Sequence, residues 1–188
     1  IGDGIAAIDT ENQRALLDAS HLLIESGRGA IVDTGTNDSV PLLLNALQQR
    51  DLDVGDVDFV FLTHIHLDHA GGAGLLMQHL PNARCVIHPR GAPHMASPEK
   101  LIKGTEGVYG VERTRQLYGE IRPIDEQRIV VAEDEVPYCP TIDGARAFHP
   151  ILQQPRAQRL PGSRISQPHS EIADRHRRIN LPAWGGEC

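Results

Sequence analysis

Residues 63–72 have the sequence Thr-His-Ile-His-Leu-Asp-His-Ala-Gly-Gly, with three imidazoles and one carboxylate inside six positions. They follow the apolar run Phe59-Val60-Phe61-Leu62, a pattern typical of a strand covered on both faces. Imidazole and carboxylate are ligands that zinc accepts. Surface or ordinary core histidines are the alternative, but crowded imidazoles beside a carboxylate are hard to explain without a cation. The segment therefore predicts a metal site at the end of a buried strand.

The spacing of these side chains predicts more than one metal ion. His64 and His66 are two apart in extended chain, so they project to the same side. Asp68 and His69 follow about one turn later and can reach a second point a few Å away. Paired catalytic metals lie about 3.5–4 Å apart. We therefore expect two divalent ions, with zinc favoured and iron or manganese left open.

Strands and helices alternate around this segment. Short apolar runs bounded by turn residues predict strands at 4–8, 21–25, 30–33, 83–88 and 129–131. Ser39 with Pro41 behind it predicts the start of one helix, and 74–80 predicts another. Residues 98–119 are predicted to be helical but interrupted at Gly104, Gly107 and Gly110. The pattern predicts a layered α/β domain.

Composition excludes several classes of protein. The 188 residues are 40% hydrophobic and 23% charged, which fits a globular domain. A net charge of −7 argues against nucleic-acid binding, and no apolar stretch is long enough to span a membrane. Three widely spaced cysteines form neither a disulfide framework nor a C-x-x-C zinc site. We expect a cytoplasmic protein whose partner is a small-molecule substrate; the oligomeric state stays open.

The chain changes character after residue 143. All 11 valines lie in residues 1–143, where 22 acidic residues outnumber 11 basic ones. Residues 144–188 contain no valine, and seven arginines face three acidic residues. We expect a folded domain at 1–143 and an irregular Arg-, Pro- and Gln-rich tail at 144–188.

The pattern T-H-x-H-x-D-H-A-G-G resembles the signature of the metallo-β-lactamase superfamily, especially its glyoxalase II-like and lactonase-like hydrolases. Residues 31–35, Ile-Val-Asp-Thr-Gly, are similar to the early strand-to-loop element of that family. The resemblance covers about residues 4–143 and implies the N-terminal half to two-thirds of an αββα sandwich. It also implies that His64 and His66 bind the first metal, that Asp68 and His69 bind the second, and that Asp33 orients a ligand from beneath.

The resemblance implies hydrolysis of an ester, thioester, lactone or amide by a hydroxide that the metals generate, with Asp68 orienting it. Two alternatives stay open. One is an iron-dependent member similar to persulfide dioxygenases, and the other is an inactive truncated or frameshifted chain.

The expected third ligand, bridging Asp and late His of the family do not follow in the tail. His149 is a weak candidate ligand, but no Pro-Gly-His turn comes after it. Back-translation of residues 153–160 with permissive codons, shifted by one base, gives Ser-Ser-Pro-Gly-His-Asn-Ala-Tyr. We interpret the tail as a frameshift product; a diverged C-terminal region and a fragment are the alternatives. Without a second sheet, the surroundings of the strand at 59–62 are expected to expose an apolar face.

Overall fold

The computed structural model describes residues 4–11, 18–132, 141–142 and 145–146. A six-stranded sheet has the order β1-β2-β3-β4-β5-β6, and the short strands β7 and β8 pair separately. The strands are β1 Ile5–Asp9, β2 Ala19–Glu25, β3 Arg28–Val32, β4 Val57–Leu62, β5 Arg84–Ile87, β6 Ile129–Val131, β7 Thr141–Ile142 and β8 Ala145–Arg146. The helices are α1 Val40–Gln48, α2 Leu67–Ala70, α3 Ala73–His79, α4 Ala92–Ala96, α5 Glu99–Tyr109 and α6 Val111–Tyr118. The fold is mixed α/β, and the strands predicted at the six apolar runs are confirmed.

The sheet changes from antiparallel to parallel at β3. β1, β2 and β3 form an antiparallel meander, and Ser26 and Gly27 make the β2–β3 turn with φ of 50° and 78°. Positive φ at both central residues is typical of the tight turn that matches strand twist. β3, β4, β5 and β6 run parallel, so a crossover must join each pair. α1 lies in the first crossover, with Pro41 in its first turn as predicted.

The parallel strands bring their carboxyl ends to one edge of the sheet. Val32 is paired with Phe61, and Leu62 with Ile87. The residues that follow these strands, Asp33, Thr63 and His88, therefore emerge at the same edge. Ligand sites of α/β sheets lie beyond the carboxyl ends of the strands.

One face of the sheet carries the main core. The buried leucines of α1 and α3 form one cluster with Leu22, Ile31 and Val60, which are also buried. Gly74 in α3 approaches the backbone so closely that a Cβ there would lie 2.0 Å from the carbonyl oxygen of Arg122. α3 therefore tolerates only glycine at this point without a backbone shift.

Arg128 connects the C-terminal end of α3 to the start of β5 by hydrogen bonds. Its Nη1 donates to the Met77 carbonyl at 2.8 Å, and its Nε donates to the Ala83 carbonyl at 3.0 Å. Its Nη2 also donates to the carbonyls of Leu80 and Ala83. A cation at a helix C-terminus satisfies carbonyls that the helix leaves free.

The opposite face of the sheet is buried at its centre, and the expectation of an exposed apolar face around the strand at 59–62 is wrong there. Phe59 and Phe61 are 6% and 4% exposed, and Ala30 and Val86 are fully buried. The two rings lie 5.8 Å apart and pack against neighbours on the same face, which include Val130. The two aromatic side chains thus lie in one buried cluster with the small residues between them.

The helical segment at 98–119 has one interruption where three were expected. α5 and α6 meet at Gly110, whose φ is 80°. Gly104 and Gly107 lie inside α5, and a Cβ at either would meet nothing within 4 Å. An exposed glycine weakens a helix without ending it, because glycine can still adopt helical φ and ψ.

Several predictions lie outside the described residues. His149 and nearly all of the predicted tail belong to this part of the chain, so the boundary at 143 and the frameshift hypothesis stay predictions. Among the helices that are described, none has the length and apolar character to cross a membrane.

Candidate metal centre

The histidine segment leaves β4 and turns directly into α2. Thr63 to His66 form the loop, and His66 occupies the N-cap position of α2 with extended φ and ψ. The turn brings the imidazoles together: the ring centroid of His64 lies 4.7 Å from that of His66 and 4.2 Å from that of His69. Local chain geometry thus clusters the three rings at the carboxyl edge of the sheet.

Asp33 lies beneath this cluster. Its Oδ1 accepts the Thr63 amide N–H at 2.8 Å, and both of its oxygens contact the Thr63 hydroxyl, at 3.0 and 2.7 Å. Its Oδ2 also lies 3.1 Å from Nδ1 of His69. The carboxylate therefore joins the loop after β4 to the first turn of α2.

The backbone of Asp33 is held in an uncommon conformation. Its φ is 57°, in the left-handed region, which costs an ordinary residue roughly 1–2 kcal/mol. The amide donates to the Phe61 carbonyl at 2.8 Å, and the Asp33 carbonyl accepts the Ser20 hydroxyl at 2.6 Å. Aspartate tolerates this region better than most residues. Two neighbouring strands thus fix the direction of the carboxylate.

Glycines allow the two loops of the site to meet. The amide of Gly72 donates to the Gly35 carbonyl at 2.8 Å. A Cβ at Gly72 would lie 2.5 Å from the Thr36 carbonyl oxygen, so this approach requires glycine. Thr34 adds bonds from its amide and its hydroxyl to the His69 carbonyl, at 2.7 and 3.0 Å. The loop after β3 is therefore bonded directly to the histidine segment.

The donor atoms fit a divalent cation. Within the described residues, Asp33, His64 and His69 each offer one ligand atom within 4.8 Å of the others. His66 flanks this group beside His64, and Asp68 Oδ2 lies 3.7 Å from His69 Nε2. All five predicted site residues other than His149 thus lie in one cluster of nitrogen and oxygen donors, the set that zinc and related metals accept.

The pKa values of two histidines move in opposite directions. Burial lowers the pKa of His64, and the neighbouring His69 and His66 lower it further. The hydrogen bond to Asp33 raises the pKa of His69, although burial opposes it. His64 therefore stays neutral near neutral pH, with a lone pair free for a metal, whereas protons compete more strongly at His69.

Tyr118 and Tyr109 form an aromatic pair beside α2, and His88 follows β5 at the same edge of the sheet. Tyr118 packs with Leu67, and its ring centroid lies 6.4 Å from that of the half-exposed Tyr109. Burial raises the pKa of Tyr118, and Tyr109 and Asp68 raise it further. His88 Nδ1 accepts the Arg90 amide N–H at 3.0 Å.

Three residues of the site were not predicted from the sequence although each bonds to Asp33 or His69: Thr63, Thr34 and Ser20. Thr63 was inside the quoted motif, and its position beside the first histidine was the available signal. Nothing in the sequence around Ser20 marked it, because its contact depends on the pairing of β2 with β3.

The model of the metallo-beta-lactamase superfamily matches residues 17–150. The chain belongs to this superfamily. It is also 39% identical over 119 residues to human metallo-beta-lactamase domain-containing protein 1, a match that covers 57% of this chain and 45% of that protein. Membership supports metal-dependent hydrolysis in general and divalent metal ions, usually zinc, as cofactors.

Two solved structures agree in fold. The native FEZ-1 metallo-beta-lactamase of Legionella gormanii is 16% identical with a TM-score of 0.53, over 77% of this chain and 48% of its own. MEM-A1, a subclass B3 metallo-beta-lactamase from a soil metagenome library, is 19% identical with a TM-score of 0.53, over 72% of this chain and 45% of its own. The chain thus spans about half the length of the relatives it matches.

Proposed function

We propose that this chain supplies the histidine-rich half of a two-metal site that hydrolyses an ester, thioester, lactone or amide. The observation that carries the proposal is the convergence of His64, His66, Asp68 and His69 above the Asp33 carboxylate. His64 and His66 would hold one ion, and Asp68 and His69 a second, with zinc favoured. Bound divalent ions lower the pKa of a coordinated water toward about 7 and polarise a carbonyl.

The protein residues have distinct tasks in this proposal. Asp68 stands at the outer side of the cluster, with its side chain 38% exposed, where it can accept a proton from a nucleophilic water and orient that water. Asp33 is much less exposed, at 12% of its side chain, and its oxygens are taken up by Thr63 and His69. We therefore assign Asp33 to orienting the ligands and Asp68 to the substrate side.

Two described histidines at the first metal are fewer than the three protein ligands of a typical catalytic zinc. We expect hydrolysis by this chain to be slow, below the roughly 10 per second of an ordinary enzyme. The substrate is expected to be a small molecule, and the expected location of the protein is the cytoplasm.

Metal analysis of the purified chain tests the proposal. The wild type should retain zinc, iron or manganese after dialysis, and a double variant His64→Ala, His66→Ala should retain much less. His79→Ala, an exposed position on α3, is the matched control and should retain as much as the wild type. Equal metal in the wild type and the double variant contradicts the metal site.

Assays of esters, thioesters, lactones and β-lactam amides test the reaction. Hydrolysis should disappear with a chelator and return with zinc. Iron in place of zinc, together with oxygen consumption on a persulfide, would support the dioxygenase alternative instead.

A further inference from the structure

The hydroxyl of Thr63 lies between a carboxylate and an imidazole. Its Oγ1 is 2.7 Å from Asp33 Oδ2 and 2.9 Å from His64 Nδ1. A carboxylate only accepts hydrogen bonds, and a hydroxyl has a single proton to donate. The Thr63 proton must therefore point to Asp33, which leaves the oxygen lone pairs facing His64.

His64 must then be the donor in its contact with Thr63. The hydrogen of the neutral ring is consequently on Nδ1, and the lone pair is on Nε2. We infer that Thr63 is a positioning residue, which donates to Asp33 and accepts from Nδ1–H of His64. It thereby fixes the tautomer of the His64 ring and leaves Nε2 of that ring free for the metal. This inference rests on the proposed metal site.

Asp33 fixes the tautomer of His69 by a direct contact. Its Nδ1 lies 3.1 Å from Asp33 Oδ2, so that nitrogen donates and Nε2 is left with the lone pair. One carboxylate thus sets both rings, directly for His69 and through Thr63 for His64. Metal-bound histidines generally have the second ring nitrogen held in this way, and the partner fixes both tautomer and orientation.

The competing account makes Asp33 itself a ligand together with His64 and His69, because their donor atoms lie within 4.8 Å. The carboxylate, however, already accepts the amide and hydroxyl of Thr63 and Nδ1–H of His69. A metal bound to Asp33 would compete with these bonds. The occupied oxygens favour the orienting role.

The tautomer can be measured without any metal. The full chain is labelled with ¹⁵N-histidine, freed of metal and studied by long-range ¹H–¹⁵N NMR above pH 7, and a His64→Gln variant assigns the signals. In the wild type, His64 should be protonated at Nδ1. Thr63→Val keeps the branched shape but lacks the hydroxyl, so Nε2–H should appear, whereas Thr63→Ser should retain Nδ1–H. A wild-type His64 with its proton on Nε2, or an unchanged tautomer in Thr63→Val, overturns the inference.

Zinc affinity gives the second readout. Competition with a chromophoric chelator should show a loss of about 10–100-fold in Thr63→Val, the usual effect of removing a partner of a metal ligand. Thr63→Ser should remain close to the wild type. Thr105→Val is the matched control, since its hydroxyl bonds only the Leu101 carbonyl within α5 among the bonds described, and it should not change affinity.

The two readouts separate the inference from the proposed function. Absence of zinc binding in the wild type, with Nδ1–H still present on His64, contradicts the metal site and leaves the tautomer assignment standing. Normal zinc binding in Thr63→Val contradicts the positioning role and leaves the metal site standing.

Discussion

Replacing Arg128 by Met should be among the most destabilising changes that leave the histidine cluster untouched. Methionine keeps an apolar stem of similar length and removes every donor of the guanidinium. The carbonyl oxygens of Met77, Leu80 and Ala83 then lose a cationic partner. Hydrogen bonds to charged groups contribute about 1.5–3 kcal/mol each, and because Arg128 is partly exposed we take roughly 1 kcal/mol for each carbonyl. The free energy of unfolding should fall by about 3 kcal/mol.

Urea denaturation followed by circular dichroism measures this loss. With a slope of about 1–3 kcal/mol per molar urea, the midpoint should fall by about 1–3 M. Arg122→Met is the matched control: that guanidinium bonds only exposed partners, Gln78 and Glu120, among the contacts described, and should contribute at most about 1 kcal/mol. Arg128→Lys should recover part of the loss, because an ammonium keeps the charge but not the planar fork. A midpoint for Arg128→Met equal to that of Arg122→Met would refute the reasoning.

Three further predictions concern other parts of the fold. Gly74→Ala should lower the melting temperature by several degrees, because its Cβ would meet a backbone carbonyl at 2.0 Å. Gly104→Ala, in open space within α5, should instead raise the free energy of unfolding by about 0.5–1 kcal/mol. A Gly74→Ala variant more stable than Gly104→Ala would contradict the packing described. Burial raises the pKa of Cys85 to about 12, so iodoacetamide at pH 8 should leave it unmodified in peptide mapping of the native chain, and rapid labelling would show that this strand is not buried. In the metal-free chain, Asp33→Asn should lower the pKa of His69 toward its ordinary 6.5, as followed by NMR titration. Because the pKa of His69 is raised in the folded chain, the stability that the Asp33–His69 pair contributes is present below pH 6.5 and is lost as pH rises through the folded pKa. An Asp33→Asn variant whose stability has the same pH dependence as the wild type would exclude this hydrogen bond.

Strand positions were predictable from sequence because they depend on short apolar runs and the turn residues between them. β4 is an example, since Phe59 to Leu62 is continuous apolar chain and the observed strand extends it by two residues. The clustering of the three imidazoles was equally predictable, because these residues are neighbours in the chain and a local turn is enough to bring their rings together. Helix α5 shows the limit of local signals: two glycines that lower helix propensity were outweighed by the context of the surrounding helix.

The remaining features depend on pairing that no local pattern reports. The hydrogen bonds around Asp33 require β3 to lie beside β4 and β2 beside β3 at a fixed register. The burial of Phe59 and Phe61 likewise depends on what the face of the sheet meets, not on the composition of the strand. Such contacts follow from tertiary structure, and a sequence pattern can predict their residues but not their geometry.

The bond between Asp33 and Thr63 joins residues 30 positions apart, so it forms only when the crossover between β3 and β4 has closed. The unfolded chain, in contrast, keeps its histidines adjacent, so with the proposed metal site it would retain some affinity for an ion. A metal therefore stabilises the native state only by the ratio of the two affinities. If the orientation of the ligands by Asp33 and Thr63 accounts for about 10–100-fold of that ratio, metal binding and closure of the β3–β4 crossover are coupled by roughly 1.4–2.7 kcal/mol. The cation would then stabilise the parallel pair β3–β4, and its removal would destabilise the sheet as well as abolish hydrolysis.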